Sequence, residues 1–478
     1  MKGHTTWKTS DLLQATGGRL VCGHRHAAFS QVSTDSRSIL PGELFVAICG
    51  SSHDGHTYIK EVIGKGIRGL IVDSDKVSGL PEALLTDTET TCVAVSGTTR
   101  ALGDMARYYR QRFPVMLAAV TGSTGKTTTR EMTASVVAQR FKTLSSKKNF
   151  NNEIGLPLTL FRLTPQIQWA VVELGMNHPG EISRLAEICI PDIGLITNVG
   201  PVHLEGVGSI EGVMRAKGEL LGKIQASGTA VLNADDPYGR QLARAADRKV
   251  FFFGESPDAD VRAESIRPEG RSVSFSLLLP AETVSVRLRV PGRFMVSNAL
   301  AAAAVGFLAG LNGSEIKAGL EAFEPVEGRM CIRETENGIR IIDDTYNANP
   351  EAMKAAIRVL CSLKEENRGV LVMGDMLELG DRSESLHESI GSEAAAAGVD
   401  RLCITGSFSD AVRAGASAAG MPSENIFIGT PDQIMEQLTA RTLAKGDWVL
   451  VKGSRAMGME AIVKALMVWG KQSRMGRA

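Results

Sequence analysis

The sequence lacks the features that tie proteins to nucleic acids, membranes or oxidising compartments. Its 53 Lys and Arg residues balance 53 Asp and Glu residues, which gives no support to a broad basic surface for nucleic acid. The seven cysteines are scattered and never spaced as Cys-x-x-Cys, so neither a disulfide framework nor a structural zinc site is expected. The small-apolar stretch 299–311 is too short to span a bilayer, and residues 1–13 have no apolar signal core. We therefore expect a cytoplasmic protein without membrane insertion and without a nucleic-acid partner.

Glycine, by contrast, is abundant, at 50 of 478 residues against a usual ~7%. Because the glycines follow no collagen-like period, they indicate many tight turns and loops that approach phosphate groups. At ~150 residues per domain, the length predicts about three domains. The pattern of apolar residues divides the chain into residues 1–96, 97–326 and 327–478.

Each of the three regions alternates short apolar runs with helical patterns, which predicts an α/β fold. The first region is predicted to be a small mixed α/β domain, the second a parallel sheet of βαβ units, and the third a doubly wound, Rossmann-like domain. An Ala-rich segment, residues 297–311, predicts a helix with Ser297 as its N-cap. The predicted strands are 44–48, 70–72, 92–95, 115–120, 169–172, 193–197, 250–253, 273–279, 339–342, 370–373, 402–405, 426–428 and 448–451.

The strongest local signal is the segment TGSTGKTT at residues 121–128, between a predicted buried strand and a predicted helix. This is the context of a phosphate-binding loop, in which freed backbone N–H groups and the helix start bind phosphate oxygens. Lys126 would reach the β- and γ-phosphates, and the Thr127 hydroxyl would hold Mg²⁺. Val120 stands where the usual pattern has glycine, so a glycine-rich turn with an incidental lysine is the alternative. The predicted nucleotide-binding residues of the loop are Gly122, Ser123, Thr124, Gly125, Lys126, Thr127 and Thr128.

Three further polar residues occupy positions from which they could meet a nucleotide. Glu173 ends a predicted strand, and His203 follows another, so both would face the crevice beside the phosphate loop. Glu173 could bind or orient Mg²⁺, or it could be a solvated acid at a strand end. A lone histidine is as often structural as it is a ligand. Lys217 lies in a predicted helix, and nothing in its local sequence separates it from a solvated surface lysine.

These motifs, in their order and spacing, resemble the Mur ligases of peptidoglycan synthesis over nearly the whole chain. The family's own shortened phosphate loop accounts for Val120. The matching segments are TDSR at 34–37, PGELFVA at 41–47, TGSTGKT at 121–127, HLE at 203–205, AKGE at 216–219, LNADD at 232–236, NALAA at 298–302, GR at 328–329, DDTYNANP at 343–350, GDMLELG at 374–380 and VKGSR at 451–455.

The resemblance implies a role for each matching residue. Lys126 and its loop would bind ATP phosphates, and Glu173 and His203 would hold a second Mg²⁺ beside the one held by Thr127. Lys217 matches the family lysine that is carbamylated by CO₂, and Asn298 matches the adenine contact. Further implied contacts are Arg329 with the γ-phosphate, Asp344 and Tyr346 with the nucleoside, Ser36 and Arg37 with UDP, and Asn151 and Asn152 with the muramoyl peptide. Lys452, Ser454 and Arg455 follow the end of a predicted strand, a position from which they are expected to line a dipeptide site.

Within the family, the segments at 149–155 and 344–349 are similar to the ligase that acts last. The implied reaction uses ATP to join D-alanyl-D-alanine to UDP-N-acetylmuramoyl-tripeptide, through an acyl phosphate, in a monomeric enzyme. The three regions would then hold UDP, ATP and the dipeptide in that order. Whether the third residue of the tripeptide is diaminopimelate or lysine stays open.

Other functions remain as alternatives. The ligase that adds the third residue usually has an Asp-Asn-Pro-Arg segment, which this chain lacks, and folate-type relatives lack the TDSR region. A P-loop kinase or nucleotide switch would bind ATP without ligation. A non-catalytic scaffold is disfavoured, because Lys126, Glu173, His203 and Lys217 are all present.

Overall fold

The computed structural model describes residues 6–50, 53–86, 89–147 and 149–475, and three large β-sheets follow one another along this part of the chain. The predicted three-domain α/β architecture is thereby confirmed. The strands Trp7–Lys8 and Ala28–Phe29 form a further, two-stranded antiparallel sheet. Each domain buries apolar side chains between its sheet and its helices, which is how α/β domains form a core. No helix among the described residues is both long enough and apolar enough to cross a membrane.

The N-terminal domain has a five-stranded sheet in the order β2-β7-β6-β5-β4, in which only the β2–β7 pair is antiparallel. Its elements are β1 (Trp7–Lys8), α1 (Thr9–Thr16), β2 (Arg19–Cys22), β3 (Ala28–Phe29), β4 (Val32–Ser33), β5 (Leu44–Val46), α2 (Ile59–Gly64), β6 (Gly69–Asp73), α3 (Glu82–Thr86) and β7 (Thr91–Val95). The three strands predicted here from apolar runs are β5, β6 and β7.

The central domain has a nine-stranded sheet in the order β16-β15-β14-β13-β12-β11-β8-β10-β9. Its elements are α4 (Thr98–Arg110), β8 (Met116–Thr121), α5 (Lys126–Val137), β9 (Thr143–Ser145), α6 (Gly155–Leu160), β10 (Trp169–Glu173), α7 (Glu181–Cys189), β11 (Ile193–Ile196), α8 (Leu204–Val207), α9 (Ile210–Gly218), β12 (Thr229–Asn233), α10 (Pro237–Ala245), β13 (Lys249–Gly254), β14 (Val261–Glu269), β15 (Ser272–Leu278), β16 (Thr283–Leu288), α11 (Phe294–Leu308) and α12 (Gly313–Glu321).

This sheet differs from the prediction at one edge, because β14, β15 and β16 pair antiparallel. The sequence predicted only β15 in this segment. Much of β14 is exposed, and its polar sequence forms no apolar run that would mark a strand. The other six strands are parallel to one another, as predicted.

The Ala-rich helix α11 is buried along most of its length and packs against α5 and the sheet. Its small side chains allow this close approach: a Cβ added at Gly306 would lie 2.6 Å from Val136 Cγ1. The prediction of Ser297 as its N-cap is wrong. The helix begins three residues earlier, directly after Arg293, and Ser297 lies inside its first turn, because the helix starts without a side-chain cap.

The C-terminal domain has a six-stranded sheet in the order β17-β18-β22-β19-β20-β21, parallel except for the β17–β18 pair. Its elements are β17 (Cys331–Glu334), β18 (Arg340–Asp343), α13 (Pro350–Lys364), β19 (Gly369–Met373), α14 (Ser383–Ala396), β20 (Arg401–Ile404), α15 (Ser409–Ala418), β21 (Ile426–Ile428), α16 (Pro431–Gln437), β22 (Trp448–Lys452) and α17 (Glu460–Met475).

The strand orders determine where side chains can converge. In the central sheet β8 lies between β10 and β11, so the loops that follow these three strands leave the sheet at one edge. In the C-terminal sheet the loops after β18, β22 and β19 are neighbours in the same way. Ligands of parallel sheets bind beyond the carboxyl ends of strands where the strand order reverses. Both groups of loops are therefore expected to carry site residues.

Candidate active site

The phosphate loop connects β8 to α5, as the sequence predicted. Gly125 precedes the helix with φ +77°, a left-handed conformation that residues with a Cβ adopt at a cost of about 1–2 kcal/mol. A Cβ at this position would also lie 2.3 Å from Asn298 Oδ1. Only glycine satisfies both the backbone angle and the close approach of α11. The start of α5 directly after this turn is the kind of position at which backbone N–H groups and the helix dipole bind an anion.

The loop after β11 holds the phosphate loop from one side. The Thr124 N–H donates to Asn198 Oδ1 at 2.9 Å, and Asn198 Nδ2 donates to Thr124 Oγ1 at 2.8 Å. Ser123 Oγ accepts from the Gly200 N–H at 2.8 Å. Sequence reasoning did not select Asn198, although its position directly after a strand of this sheet was a usable signal.

Lys126 is the first residue of α5, and its side chain folds back over the loop. Its Nζ donates to the carbonyl of Gly122 at 2.7 Å. Burial lowers the pKa of Lys126, while the nearby Glu173 carboxylate acts in the opposite direction. The amine is therefore held at the loop, where phosphate oxygens would take the place of the carbonyl.

Glu173 ends β10 and is only 3% exposed. Its Oε2 accepts from the Thr127 hydroxyl at 2.9 Å, and its Oε1 accepts from Asn151 Nδ2 at 2.9 Å. Arg130, fully buried on α5, lies 3.6 Å from Oε2. The structure thus brings together three predicted site residues, Thr127, Glu173 and Asn151, and it adds Arg130. That arginine follows Lys126 by four residues on the same helix, and no motif in the sequence marked it.

His203 follows β11 and contacts the C-terminal domain. Its Nδ1 lies 2.6 Å from Oε2 of Glu378, which belongs to the loop after β19. Both residues have positive φ, at +53° and +64°. The hydrogen bond from His203 lowers the pKa of Glu378 and keeps this carboxyl ionised. Sequence reasoning quoted the GDMLELG segment but assigned no role to Glu378.

Lys217 lies on α9 and is 1% exposed, so it is not the solvated surface lysine that its local sequence allowed. Burial, and then the positive charge of Lys126, lower the pKa of Lys217 well below its ordinary value. Among the described residues, no carboxylate forms an ion pair with this amine. A buried, unpaired ammonium is costly, so this position favours an uncharged or modified side chain.

Two cavities lie between the central and C-terminal domains. The first has a volume of 350 Å³ and the second 320 Å³, both in the range of small-ligand sites. The first is lined by the phosphate loop and by Asn298, Arg329, Asp344 and Lys452, as well as by Asn198, Glu351, Lys354 and Arg358. The second is lined by Lys126, His203, Glu378, Ser454 and Arg455, among others. Lys126 contributes to both.

The ring of Tyr346 lies beside two arginines. The guanidinium carbon of Arg329 lies 4.2 Å from the ring centroid, and that of Arg455 lies 5.6 Å from it. Tyr346 is not among the residues lining either cavity, so its predicted contact with a nucleoside stays a prediction. Its observed position favours a supporting role for both cations, since a guanidinium over an aromatic face is attracted to it.

Asp344 and Lys452 form a buried pair at the edge of the first cavity. Lys452 Nζ lies 2.5 Å from Asp344 Oδ2 and donates to the Asn347 carbonyl at 2.8 Å. Asp344 Oδ1 also accepts from the Met330 N–H at 3.2 Å. Because Met330 follows Arg329, this contact fixes the backbone next to the arginine. Asp344 and Lys452 therefore order the cavity wall as well as lining it.

Three family models match successive parts of the chain. The model described as Mur ligase family, catalytic domain, matches residues 28–110; the Mur ligase middle domain matches 120–306; and the Mur ligase glutamate ligase domain matches 328–455. The chain belongs to the Mur ligase family. The family predicted from the motifs is confirmed.

Curated relatives of this Mur ligase include UDP-N-acetylmuramoyl-tripeptide–D-alanyl-D-alanine ligases. That of Escherichia coli (strain K12) is 38% identical over 440 residues, covering 91% of this chain and 93% of the relative. Among solved structures, MurF from Acinetobacter baumannii has 32% identity and a TM-score of 0.87, covering 97% of this chain and 99% of that one. MurF ligase from Thermotoga maritima in complex with ADP has 27% identity and a TM-score of 0.81, covering 93% and 98%.

In this Mur ligase, Ser36, Arg37 and Asn152 line neither interdomain cavity. Arg37 is highly exposed and pairs with Asp35 at 2.9 Å. Ser36 is largely buried, and its carbonyl accepts from Lys65. Asn152 Oδ1 accepts from the Gly155 N–H at 2.8 Å, at the start of α6. Their predicted substrate contacts stay predictions, and Asn152 has a local structural role.

The loop of the Mur ligase that carries Glu378 is held by buried groups. The Met376 N–H donates to Nε2 of the fully buried His387 at 2.9 Å, and Nδ1 of His387 lies 2.6 Å from the Ser383 carbonyl. The Leu377 N–H donates to Ser454 Oγ at 2.8 Å. These contacts require His387 to be neutral, because one ring nitrogen accepts while the other donates.

The stability of the C-terminal domain is expected to depend on the protonation of His387. Burial lowers the pKa of His387 below its ordinary value, so the unfolded chain binds a proton at a higher pH than the folded chain. The stability that neutral His387 contributes is therefore present above about pH 6.5 and is lost as the pH falls through the folded pKa. In urea titrations, the difference in unfolding free energy between the wild type and H387Q should narrow from pH 7.5 to pH 5.5. A difference that is constant or widens would contradict the assignment.

Proposed function

We propose that this Mur ligase uses ATP to join D-alanyl-D-alanine to the peptide carboxylate of UDP-N-acetylmuramoyl-tripeptide. The observation that carries the proposal is the convergence of Lys126, Glu173 and His203 of the central domain with Arg329 and Glu378 of the C-terminal domain around two adjoining cavities. A crevice with cations from two domains suits the meeting of a triphosphate and a second anion.

The three domains supply the substrate sites in this proposal. Residues 1–96 would bind UDP, with Ser36 and Arg37 as contacts, and residues 97–326 would bind ATP. Residues 327–478 would bind the dipeptide through Lys452, Ser454 and Arg455. Asn151 and Asn152 would meet the muramoyl peptide. The enzyme would act as a cytoplasmic monomer.

ATP would occupy the first cavity, with its phosphates on the loop at residues 122–128 and its base near Asn298. Thr129 Oγ1 donates to Asn298 Oδ1 at 3.2 Å, which ties the amide of α11 to the phosphate-loop helix. Arg329 and Asp344 face the same cavity from the C-terminal domain. The nucleotide would therefore hold the two domains together.

The residues around Thr127 fit Mg²⁺. The Thr127 hydroxyl and the Glu173 carboxylate are 2.9 Å apart and offer the hard oxygen atoms that this ion prefers. The described residues contain no cluster of three or more His, Cys, Asp and Glu side chains suited to a metal ion, so phosphates and water would complete the coordination. Glu173 and His203, with a modified Lys217, would hold a second ion. The ions, when bound, would neutralise phosphate charge.

We propose that Lys217 carries a carbamate formed with CO₂. Its amine is buried, has no anionic partner among the described residues and lies near the charge of Lys126, which disfavours an ammonium. A carbamate would replace the positive charge by a negative one and supply two oxygen ligands. The same change would convert repulsion from Lys126 into attraction.

The chemistry requires activation of a carboxylate, which is a poor electrophile. Transfer of the γ-phosphoryl group would break its bond to the bridging oxygen and give ADP and an acyl phosphate. Lys126 and Arg329 would offset the repulsion between the two anions. The dipeptide amine, once deprotonated, would form the new C–N bond as phosphate departs with the electrons of the C–O bond. Alignment between the two domains would supply much of the rate.

The test of this function is substrate-dependent hydrolysis of ATP. ADP and phosphate should form only when both a UDP-muramoyl-tripeptide and D-Ala-D-Ala are present, and the pentapeptide product should match the ADP in amount. Both the diaminopimelate and the lysine tripeptide should be tried. ATP turnover without the dipeptide would instead favour a kinase or nucleotide switch, and dependence on a single free amino acid would favour another ligase of the family.

Replacing Gly125 by alanine is expected to weaken nucleotide binding at least about tenfold. The added Cβ would impose a left-handed conformation and would press against Asn298 Oδ1, at a combined cost of more than about 1.4 kcal/mol. Titration calorimetry with ADP measures the change. Gly222→Ala is the matched control, because Gly222 is exposed and a Cβ there meets nothing within 4 Å. Equal affinities for the two variants would contradict the expected geometry of the loop.

A further inference from the structure

The second cavity contains a carboxylate to which the proposed ligation assigns no task. Glu378 is the only acidic side chain among the described residues that line this cavity. Its side chain is 53% exposed. Its Oε2 atom is bonded to His203, whereas no hydrogen bond from a described residue reaches Oε1. Glu378 can therefore accept from a further donor without losing its contact with the central domain.

Arg455 presents the opposite charge in the same cavity. Its side chain is 62% exposed, and it is held from behind by an ion pair with Glu460 at 3.1 Å and by the ring of Tyr346. Neither partner neutralises it fully, because the ion pair is largely solvated. The cavity thus has an anionic side chain and a cationic side chain on the C-terminal domain, near the lysine of the phosphate loop.

A short peptide with free ends carries one ammonium and one carboxylate, and this pair of charges matches the two side chains. We propose that Glu378 binds the ammonium of the incoming dipeptide while Arg455 binds its carboxylate, so that Glu378 selects for a free amino terminus. This assignment rests on the proposed ligation. Because Lys126 lines both cavities, an amine held at Glu378 would lie on the side of the acyl phosphate that faces away from the nucleotide.

The loop that carries Glu378 has the rigidity that such a recognition site needs. His387 and Ser454 hold the backbone N–H groups of Met376 and Leu377, the two residues that precede it. The Ser454 N–H in turn donates to the Asp375 carbonyl at 2.9 Å. Because Ser454 adjoins Arg455, one hydrogen-bonded unit fixes the positions of both charged residues. Preorganised contacts of this kind lose less entropy when a ligand binds.

The experiment compares Glu378→Gln with the wild type in steady-state kinetics. Glutamine keeps an oxygen for His203 but removes the charge that an ammonium requires. The KM for D-Ala-D-Ala should rise at least about tenfold, in line with the loss of a charged hydrogen bond, and the KM values for ATP and the UDP-tripeptide should stay within about twofold. D-lactyl-D-alanine, which has a hydroxyl in place of the ammonium, should inhibit both enzymes equally as a competitor of the dipeptide.

Glu384→Gln is the matched control, because Glu384 is an exposed carboxylate on α14 that lines neither cavity. If the contact between Glu378 and His203 were purely structural, Glu378→Gln would raise the KM values of all substrates together or lower kcat alone. Either result would overturn the assignment. An unchanged KM for the dipeptide would also overturn it. If the wild type itself shows no ATP turnover that depends on the dipeptide, the ligation and this assignment both fail.

Discussion

Lys217→Ala is expected to lower the rate of ligation by a factor of about 10²–10³, and acetate is expected to restore part of it. The expected loss corresponds to removal of one preorganised charge contact from a closed site. Because the side chain is 1% exposed, its removal leaves a cavity beside the proposed metal site. A short carboxylate that occupies this cavity could replace the carbamate oxygens. Initial rates measured against acetate concentration provide the test.

Lys223→Ala is the control for this result, because Lys223 follows the same helical segment but is exposed. Its rate should equal that of the wild type and should not respond to acetate. Lys217→Arg should be as inactive as the alanine variant, since a guanidinium does not take up CO₂ under these conditions. Full activity of either Lys217 variant would refute the carbamate, and loss without any rescue would indicate that burial of the lysine serves the fold.

Arg329→Met is expected to reduce kcat by about 10³, with a much smaller effect on the KM for ATP. An arginine that reaches transferring phosphate from a neighbouring domain typically contributes 10³–10⁵ in rate, about the effect expected here. Arg329 lies over the ring of Tyr346 at 4.2 Å and lines the first cavity opposite the phosphate loop. Methionine keeps much of the apolar length but removes the charge, so ground-state binding should persist while phosphoryl transfer slows.

Rapid-quench measurement of ADP formation separates this effect from slow product release. Arg413→Met is the matched control, because Arg413 is an exposed arginine on α15 paired only with Asp410 among the described residues. Arg329→Lys should recover part of the rate, since it restores charge without the planar stacking group. A variant with normal kcat and a raised KM for ATP would instead assign Arg329 to simple nucleotide binding.

Most of the fold was predictable because each buried parallel strand appears in the sequence as a short run of apolar residues. The strands β8, β10, β11, β19 and β22 were all found as short apolar runs, within one or two residues of their ends. The edge of the central sheet was not found in full, since β14 and β16 are solvated on one side and contain many polar residues. The start of α11 was misplaced because its first turn has no side-chain cap to mark it.

The site was predictable where a residue belongs to a local motif, and not where it depends on contacts between domains. The phosphate loop and Glu173 could be selected from the strands that precede them. Asn198 could have been selected in the same way, because it directly follows a predicted strand. Arg130 and Glu378 could not, because their partners lie 43 and 175 residues away along the chain. Lys217 was the opposite case: its local sequence indicated a surface lysine, and only the family resemblance identified it.

The two interdomain cavities have common walls at Ser123, Lys126, Asn347 and Asn349. A compound that occupies one cavity could therefore extend into the other past a single lysine side chain. Joining a nucleotide-site fragment to a dipeptide mimic by a short linker would make the second binding event intramolecular, and the gain in avidity could reach about 10²–10⁴. Such bisubstrate inhibitors would contact both domains at once. A substitution that weakens inhibitor binding at the shared residues would therefore also alter residues that line both substrate sites.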